Sequence, residues 1–469
     1  MKKISIISGL ILLIQTSFGQ TTIVDNSNIS GTWTVADSPY IIEGRAIVPN
    51  GETLTIEPGV EVRLRSSSSP TVSWFDYEEG NVGVIRVNGE IIANGTAEDK
   101  ILFTRDNTGY WGTILIDEDA STSSAFTNCI IEYSKESRNV TGIASPVAFD
   151  AGISIYKTAI NFEKNELREN QSAGMYVVGV STLFEFNDNV FHDNGADGLV
   201  ISESTANSIN NAFYDNSYSA TGSVSAIKCS FSEVYLVGNL IYNNDDFGIY
   251  TTTNGNVHIV NNTIFGNDQG IRVEDGANTY ITNSIIQNNS TNFATSGPID
   301  GAIIEMQYSL TDDATFPTNV SDVAGNILDS TAAFTDSDSE DFSLQSSSPC
   351  IDKGKPDTAG LNIPDSDILE NNRIDNDTID IGAVEYQYPL GINESGVLVG
   401  LKIYPNPTNN IVNIIYNEAL RISVFSMDGR ALGTYTSKEI DLSNQNNGIY
   451  LLKIENSNGD IAIRRVVKK

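Results

Sequence analysis

Asn189-Val-Phe191-His-Asp-Asn194 is one of six copies of the pattern Asn-x-(Leu/Ile/Phe)-x-x-Asn. The others are Asn165-Glu-Leu167-Arg-Glu-Asn170, Asn211-Ala-Phe213-Tyr-Asp-Asn216, Asn239-Leu-Ile241-Tyr-Asn-Asn244, Asn262-Thr-Ile264-Phe-Gly-Asn267 and Asn283-Ser-Ile285-Ile-Gln-Asn288. Their first Asn residues lie 24, 22, 28, 23 and 21 apart. Asn128-Cys-Ile130 reads as an earlier copy, set apart by an inserted loop around Ser137–Ser145. Most copies are followed by a Gly-led apolar run (Gly174-Met-Tyr-Val, Gly198-Leu-Val-Ile, Gly248-Ile-Tyr-Thr, Gly270-Ile-Arg-Val) and preceded by an alternating one (Phe184-Glu-Phe186, Val234-Tyr-Leu236, Val257-His-Ile259).

Three short alternating strands in every 21–28 residues describe one coil of a solenoid. Leucine-rich repeats share the period, but their Leu-x-x-Leu-x-Leu spacing is absent and no segment has helical periodicity. The pattern predicts an all-β chain built on a parallel β-helix whose coils stack about 4.8 Å apart. Equivalent Asn amides then bond above and below, and Asn also tolerates the left-handed backbone of a tight turn.

The period of two sends the Asn and the third residue of each copy inward and the fourth outward. The outward stripe reads Arg168, His192, Tyr214, Tyr242, Phe265 and Ile286. Flat rings at coil spacing can stack on sugar rings, and Arg168 with His192 can contact anionic groups. Arg168, His192, Tyr214, Tyr242 and Phe265 are therefore the candidate glycan contacts. The competing reading is that outward aromatics only stabilise the ladder or lie under a loop. A second outward column holds Tyr176, Val200, Lys228, Tyr250 and Arg272, with Lys228 and Arg272 two coils apart; His258 is expected on the surface of the preceding strand.

Working outward, Thr32–Arg105 alternates apolar and polar residues with turns at Asn50-Gly51 and Pro58-Gly59, and so feeds the solenoid. Acidic loops occupy Ser309–Asp341, and from Gly400 onward short alternating strands predict a small β-sandwich. At the other end, Lys2-Lys3, the apolar run Ile4–Ile14 and small residues before Gln20 form an export signal, shorter than the roughly 20 apolar residues of a membrane span. The expected division is 1–19 signal peptide, 20–127 cap and first coils, 128–346 further coils, 347–388 closing segment, 389–399 linker and 400–469 terminal domain.

Of the 469 residues, the stretch 20–400 carries 16 Lys/Arg against 54 Asp/Glu. So acidic a body repels phosphate backbones, which excludes nucleic acid as a partner. Cys129, Cys229 and Cys350 are odd in number and widely spaced, which predicts packed thiols rather than a disulfide framework or metal site.

The tail segments Leu401-Lys-Ile-Tyr-Pro-Asn-Pro407, Val424-Phe-Ser-Met-Asp-Gly-Arg430, Asn447-Gly-Ile-Tyr-Leu-Leu-Lys-Ile454 and Arg464-Arg-Val-Val-Lys-Lys469 together resemble a type A sorting domain of the type IX secretion system. The resemblance implies passage across a bacterial outer membrane by the type IX machinery, followed by release or attachment to surface lipopolysaccharide. Ser348-Pro-Cys-Ile-Asp-Lys-Gly354 and Ile379-Asp-Ile-Gly-Ala-Val-Glu385 resemble the closing segment of secreted parallel β-helices, often called choice-of-anchor. Between them, Asp367-Ile-Leu-Glu-Asn-Asn-Arg373 has Glu370 where that family has Gly, so a different local turn is expected. The feeder segment is similar to the start of pectate-lyase-like right-handed β-helices. These resemblances cover most of 32–469 and imply architecture and export, but fold does not fix a reaction.

No Gly-x-Ser-x-Gly elbow, phosphate loop or His-Glu-x-x-His site occurs. A lyase needs a cation and a proton acceptor, and a hydrolase two carboxylates across the sugar bond; neither set is signalled. Asp365-Ser-Asp367 and Asp375-Asn-Asp377-Thr-Ile-Asp380 offer oxygen ligands for Ca²⁺ without the full spacing of a calcium loop. No other cofactor is expected. The sequence thus predicts a secreted or surface-attached module that binds glycans or serves adhesion or structure, with an extracellular polysaccharide lyase or glycoside hydrolase as the alternative.

Overall fold

The computed structural model describes residues 19–67, 81–135, 151–217, 224–295, 301–376, 378–388, 398, 400–426, 430–457 and 460–469. The expected export signal, the expected insert around 137–145, Asp377, most of the expected linker at 389–399 and residues 427–429 lie outside this set. Two compact units divide at Gln387/Tyr388.

The first unit is a three-sided solenoid whose sheets have twelve, eleven and twelve parallel strands, each strand paired with its equivalent one coil away. The Asn motifs supply the first sheet, for example Glu166–Arg168, Val190–His192 and Ala212–Tyr214. The Gly-led runs supply the second, such as Ala173–Val178 and Ser225–Ser230. The third contains Phe184–Asn187, Thr205–Ile209 and Glu233–Val237. Inward columns make a continuous apolar core. On the first sheet Leu167, Phe191, Phe213, Ile241 and Ile264 are fully buried, and the Phe191 and Phe213 rings stack at 4.6 Å. The repeated Gly keeps neighbouring coils close, since a Cβ at Gly198 would stand 2.7 Å from the Ala226 carbonyl oxygen.

Both Asn positions form buried ladders at the corners of the first sheet. Asn165 Nδ2 donates to Asn189 Oδ1 at 3.1 Å and Asn189 to Asn211 at 2.9 Å. The second ladder runs unbroken from Asn170 through Asn194, Asn216, Asn244 and Asn267 to Asn289 at 2.8–3.0 Å. Each amide meets a need that burial would otherwise leave open, at about 1–3 kcal/mol per unmet group. The left-handed residues are not these Asn but the ones just before them: Asp188, Asn210, Asn261 and Asn283 at one corner, and Glu169, Asp193, Asp215 and Asn243 at the next.

Two register expectations are corrected. Asn283 takes the left-handed corner (φ 52°), so Ser284 continues the first ladder and Ile286 pairs with Ile264 inside. Gln287, not Ile286, therefore follows Phe265 in the outward column. Likewise Asn128 is a left-handed corner residue and Cys129 stands in the ladder, its N–H donating to Asn165 Oδ1 at 2.9 Å. The inward apolar residue fixes register, because a slip of one would turn every side chain to the other face.

After the last coil, Phe334–Asp336 and Asp341–Leu344 form an antiparallel hairpin. Residues 347–376 and 378–387 follow as a strap along the corner between third and first sheets, where Asn283 Oδ1 accepts from Lys355 N at 2.7 Å and Asn210 Nδ2 donates to Ser366 O at 3.1 Å. Within the strap, buried Arg373 donates to the carbonyls of Ala383 and Gly382 at 2.9 and 2.7 Å. Glu370 adopts φ 64°, a left-handed conformation that a glycine would take without strain. All three cysteines are buried and free.

The second unit pairs a three-stranded antiparallel sheet with a four-stranded one in the order 431–435, 420–426, 448–456, 461–468. Val412, Ile422, Val424, Ile440, Leu452, Ile454 and Val466 fill the core between them, the small β-sandwich expected from the alternation. No helix among the described residues is long and apolar enough to cross a membrane.

Candidate functional site

The outward column of the first sheet runs Glu132, Arg168, His192, Tyr214, Tyr242, Phe265 in register. Its charged end closes on itself. Arg168 Nε donates to Glu132 Oε2 at 2.9 Å, Arg168 also binds Glu166, and Lys100 Nζ meets Glu166 Oε2 at 2.9 Å. His192 sits between Asp193 Oδ2 at 2.7 Å and Glu166 Oε1 at 3.4 Å. The hydrogen bond from His192, with Lys100 and Arg168 beside it, holds the Glu166 carboxyl well below the usual range against the opposing effect of burial. Burial works to lower the His192 imidazole, yet Glu166 and Asp193 outweigh it and hold it up.

The aromatic end is also occupied. His192 and Tyr214 stack at 4.8 Å and 12°, and Tyr214 and Tyr242 at 5.0 Å and 18°. Both faces of Tyr214 are therefore covered by its neighbours, and only ring edges point outward. Tyr242 meets Phe342 of the hairpin at 5.0 Å and donates to Glu340 at 3.2 Å, while Phe265 packs on Phe342 at 5.4 Å and Phe334 at 5.8 Å. Tyr242 is 6% exposed. The five candidate contacts are thus brought into one column, but Tyr242 and Phe265 lie beneath the hairpin.

The second sheet places Tyr176, Val200, Lys228, Tyr250 and Arg272 in consecutive register. Arg272 Nε donates to Glu274 Oε1 at 2.6 Å, Tyr250 donates to Glu274 Oε2 at 2.8 Å, and the guanidinium lies 4.9 Å over the Phe247 ring. Lys228 differs. Half-buried, it reaches over the Tyr250 ring at 5.3 Å and makes no salt bridge among the described residues. It borders a hollow of ≈ 320 Å³ lined also by Tyr176, Ala196, Asp197 and Val200. Asp197 accepts from Ser225 N and Oγ at 2.8 and 2.7 Å. Burial pushes its carboxyl up to about 6, with Lys228 and Ser225 pulling the other way.

Asp197 was not signalled by any motif; its cue is its place directly before Gly198, at the mouth of the Lys228 column. Glu132 and Glu166 were likewise missed as partners of Arg168, although Glu166 lies two residues before it on the same strand. His258 is on the surface as expected, but it is stacked between Tyr235 at 4.3 Å and Tyr280 at 5.0 Å and faces Glu233 at 3.0 Å.

Of the Ca²⁺ candidates, Asp367 accepts backbone N–H groups from Leu369, Asn371 and Glu385. Asp380 accepts from Asp352 and Tyr386. No group of three or more His, Cys, Asp or Glu side chains suited to a metal occurs among the described residues.

Residues 151–311 match the right-handed β-helix region family, and residues 402–469 match the secretion system C-terminal sorting domain. Among curated proteins no relative matches the chain. Among solved structures, pectate lyase Pel9A is similar at 13% identity over 72% of this chain and 89% of its own, with a TM-score of 0.43. The A-module of mannuronan C-5 epimerase AlgE4 from Azotobacter vinelandii is similar at 13% identity over 67% of this chain and 89% of its own, with a TM-score of 0.27. Tailspike protein 2 of an Escherichia coli O157:H7 bacteriophage is similar at 11% identity over 96% of this chain and 65% of its own, with a TM-score of 0.30. At such identities and scores nothing about this chain's activity follows from them. With three stacked parallel sheets and a matched terminal sandwich, the protein is a right-handed parallel β-helix carrying a type IX secretion sorting domain.

Proposed function

We propose that this is an exported, non-catalytic glycan-binding module of the cell surface, in an adhesive or structural role, and that its contact face is the second sheet around Lys228 rather than the aromatic stripe of the first. The observation that carries this reading is the Lys228 ammonium, without a salt bridge among the described residues, at the edge of a ≈ 320 Å³ hollow lined also by Tyr176 and Asp197. An ammonium offers three donors, suited to sugar hydroxyls or a uronate carboxylate, and Tyr176 adds a flat apolar surface. The test is retention of the chain on a panel of neutral and acidic polysaccharides. Lys228→Met is expected to weaken retention tenfold or more with an unchanged melting curve. Equal retention of the two chains on every glycan rules the site out.

The alternative is catalysis on the same face. It is favoured by Asp197, whose carboxyl at about 6 is poised for proton transfer near neutral pH beside a lysine. Incubation of the chain with the same panel, with Ca²⁺ and with chelator, decides: new chain ends that vanish in Asp197→Asn would establish a lyase or hydrolase. Lipopolysaccharide is the proposed attachment partner after sorting. Deleting 400–469 is expected to leave the solenoid in the periplasm, and normal surface display of that deletion would overturn the sorting role in this protein.

A further inference from the structure

The hollow beside Lys228 offers three kinds of surface in a small space. Ring, floor and cation come from consecutive coils of the second sheet, where Tyr176 pairs with Val200 and Val200 with Lys228, about 4.8 Å apart from coil to coil. Ala173 and Val200 are buried in a small apolar cluster of their own with Ala151, and Tyr176 packs against it. Ala173, Ala196 and Val200 all line the hollow, so its apolar floor is built of alanine and valine side chains. These short side chains, set between the long ones of Tyr176 and Lys228, are what make the hollow.

Two polar groups flank this floor. Asp197, half-buried, takes both of its hydrogen bonds from Ser225 on Oδ1, and its Oδ2 accepts none among the described residues. The Lys228 ammonium feels the Asp197 charge without closing a salt bridge with it. One acceptor and one donor thus stand apart across an apolar floor. An acetamido group is the complement of this set, since it joins an N–H donor, a carbonyl acceptor and a methyl in one planar unit. The other common sugar substituents each miss a part. A hydroxyl leaves the floor uncovered, and a free ammonium faces Lys228. A carboxylate suits Lys228 but opposes Asp197 and an acidic body of 16 Lys/Arg against 54 Asp/Glu over 20–400.

Resting on the Lys228 reading of the contact face, we propose that this hollow is a subsite for an N-acetylated amino sugar. Lys228 donates to the acetamido carbonyl, Asp197 Oδ2 accepts from its N–H, the methyl rests on Ala173, Ala196 and Val200, and the Tyr176 ring lies against the sugar. At ≈ 320 Å³ the hollow falls at the small end of ligand sites, about 300–1,000 Å³, which suits one sugar residue of a longer chain.

The test is calorimetric titration of the whole chain with hexamers of N-acetylglucosamine, glucosamine, glucose and galacturonate. It is run at pH 7.5, above the value of about 6 to which burial pushes the Asp197 carboxyl. The acetylated hexamer is expected to bind at least tenfold tighter than each of the others, with the strongest saturation-transfer NMR signal on its acetyl methyl. Ala196→Leu, which fills the hollow from a half-buried rim position, should remove that preference. Val200→Thr, close to it in shape, sets a hydroxyl on the floor and should reduce the preference several-fold even if Ala196→Leu fails to fold. Lys228→Met should weaken binding at least tenfold. Equal affinity for the acetylated and glucose hexamers, lost in Lys228→Met, would keep the Lys228 face and overturn the acetamido subsite. So would a preference for the acetylated hexamer that survives both floor variants, or tighter binding of galacturonate. Acetylated binding unchanged by Lys228→Met would overturn both readings. If no hexamer binds, the subsite falls, and retention on the polysaccharide panel still decides the Lys228 face on its own.

Discussion

The first and second sheets present outward columns with the same coil spacing and a similar mixture of cations and rings, yet one is closed and the other open. On the first sheet every charged member has an internal partner. Arg168 is taken by Glu132 and Glu166, and His192 by Asp193 and Glu166. The rings stack on one another, and the hairpin covers what is left. On the second sheet Arg272 is similarly satisfied by Glu274, but Lys228 makes no salt bridge among the described residues, and burial pushes the carboxyl of Asp197 beside it up to about 6. The lesson is that a column of suitable residue types is not a site. A ligand competes with whatever already occupies the donors and ring faces, and on the first sheet Arg168, His192 and the stacked rings already have partners among the described residues.

The largest expected effect tests the closed side. Tyr242→Ala should cost about 3–5 kcal/mol, the range for removing a buried aromatic side chain, and should release the hairpin to proteolysis near Glu340. Glycan retention below the melting transition should not change. Loss of retention in a folded Tyr242→Ala chain would restore the first-sheet stripe as the contact face. Next, Lys228→Met should reduce retention at least tenfold, which is about 1.4 kcal/mol, while altering the melting temperature little.

A smaller effect concerns pH. The raised His192 imidazole contributes stability that is fully present below its unfolded value of about 6.5 and is lost as pH rises through its folded value. Asp197 and Asp380, each pushed up to about 6 by burial, and Glu385, pushed up to about 8 by burial, give a slope of the same sign. The measurement is therefore the difference between the chain and His192→Gln in melting temperature at pH 5.5 and 8.5. A difference that is the same at both pH values would show that the His192 cluster is not closed as described. The smallest effect tests the open side. Protonation of Asp197 below pH 6 leaves the Lys228 charge uncompensated, so retention on a uronate polymer should strengthen a few-fold from pH 7 to pH 5. Asp197→Asn should abolish that dependence.

How much of this was legible without coordinates differs by level. The Asn repeat is enough for the coil, because the amide ladder and the inward apolar residue recur at each turn and each stacks on its equivalent one coil away. The second column, Tyr176 to Arg272, is in register as read, since strand alternation alone decides it. Register slipped by one at Asn283 and Asn128, where the motif Asn is followed by a small residue, Ser284 or Cys129, that takes the ladder position, and only the packing of Ile286 on Ile264 and of Ile131 beside Leu167 chooses between them.

Residue order along the chain, then, determined the solenoid, its coil boundaries, the acidic body and the sorting tail, because all four rest on short-range periodicity or on composition. Tertiary structure alone decided which outward residues are free. The hairpin at 334–344 and the strap that ends at Gln387 come from far along the chain, the first covering Tyr242 and Phe265 and the second taking the Asn210 amide through Ser366. Burial by segments so distant leaves no periodic trace, and Glu132 and Asp197, the carboxylates beside Arg168 and Lys228, sit on neighbouring coils, where only stacking brings them within reach.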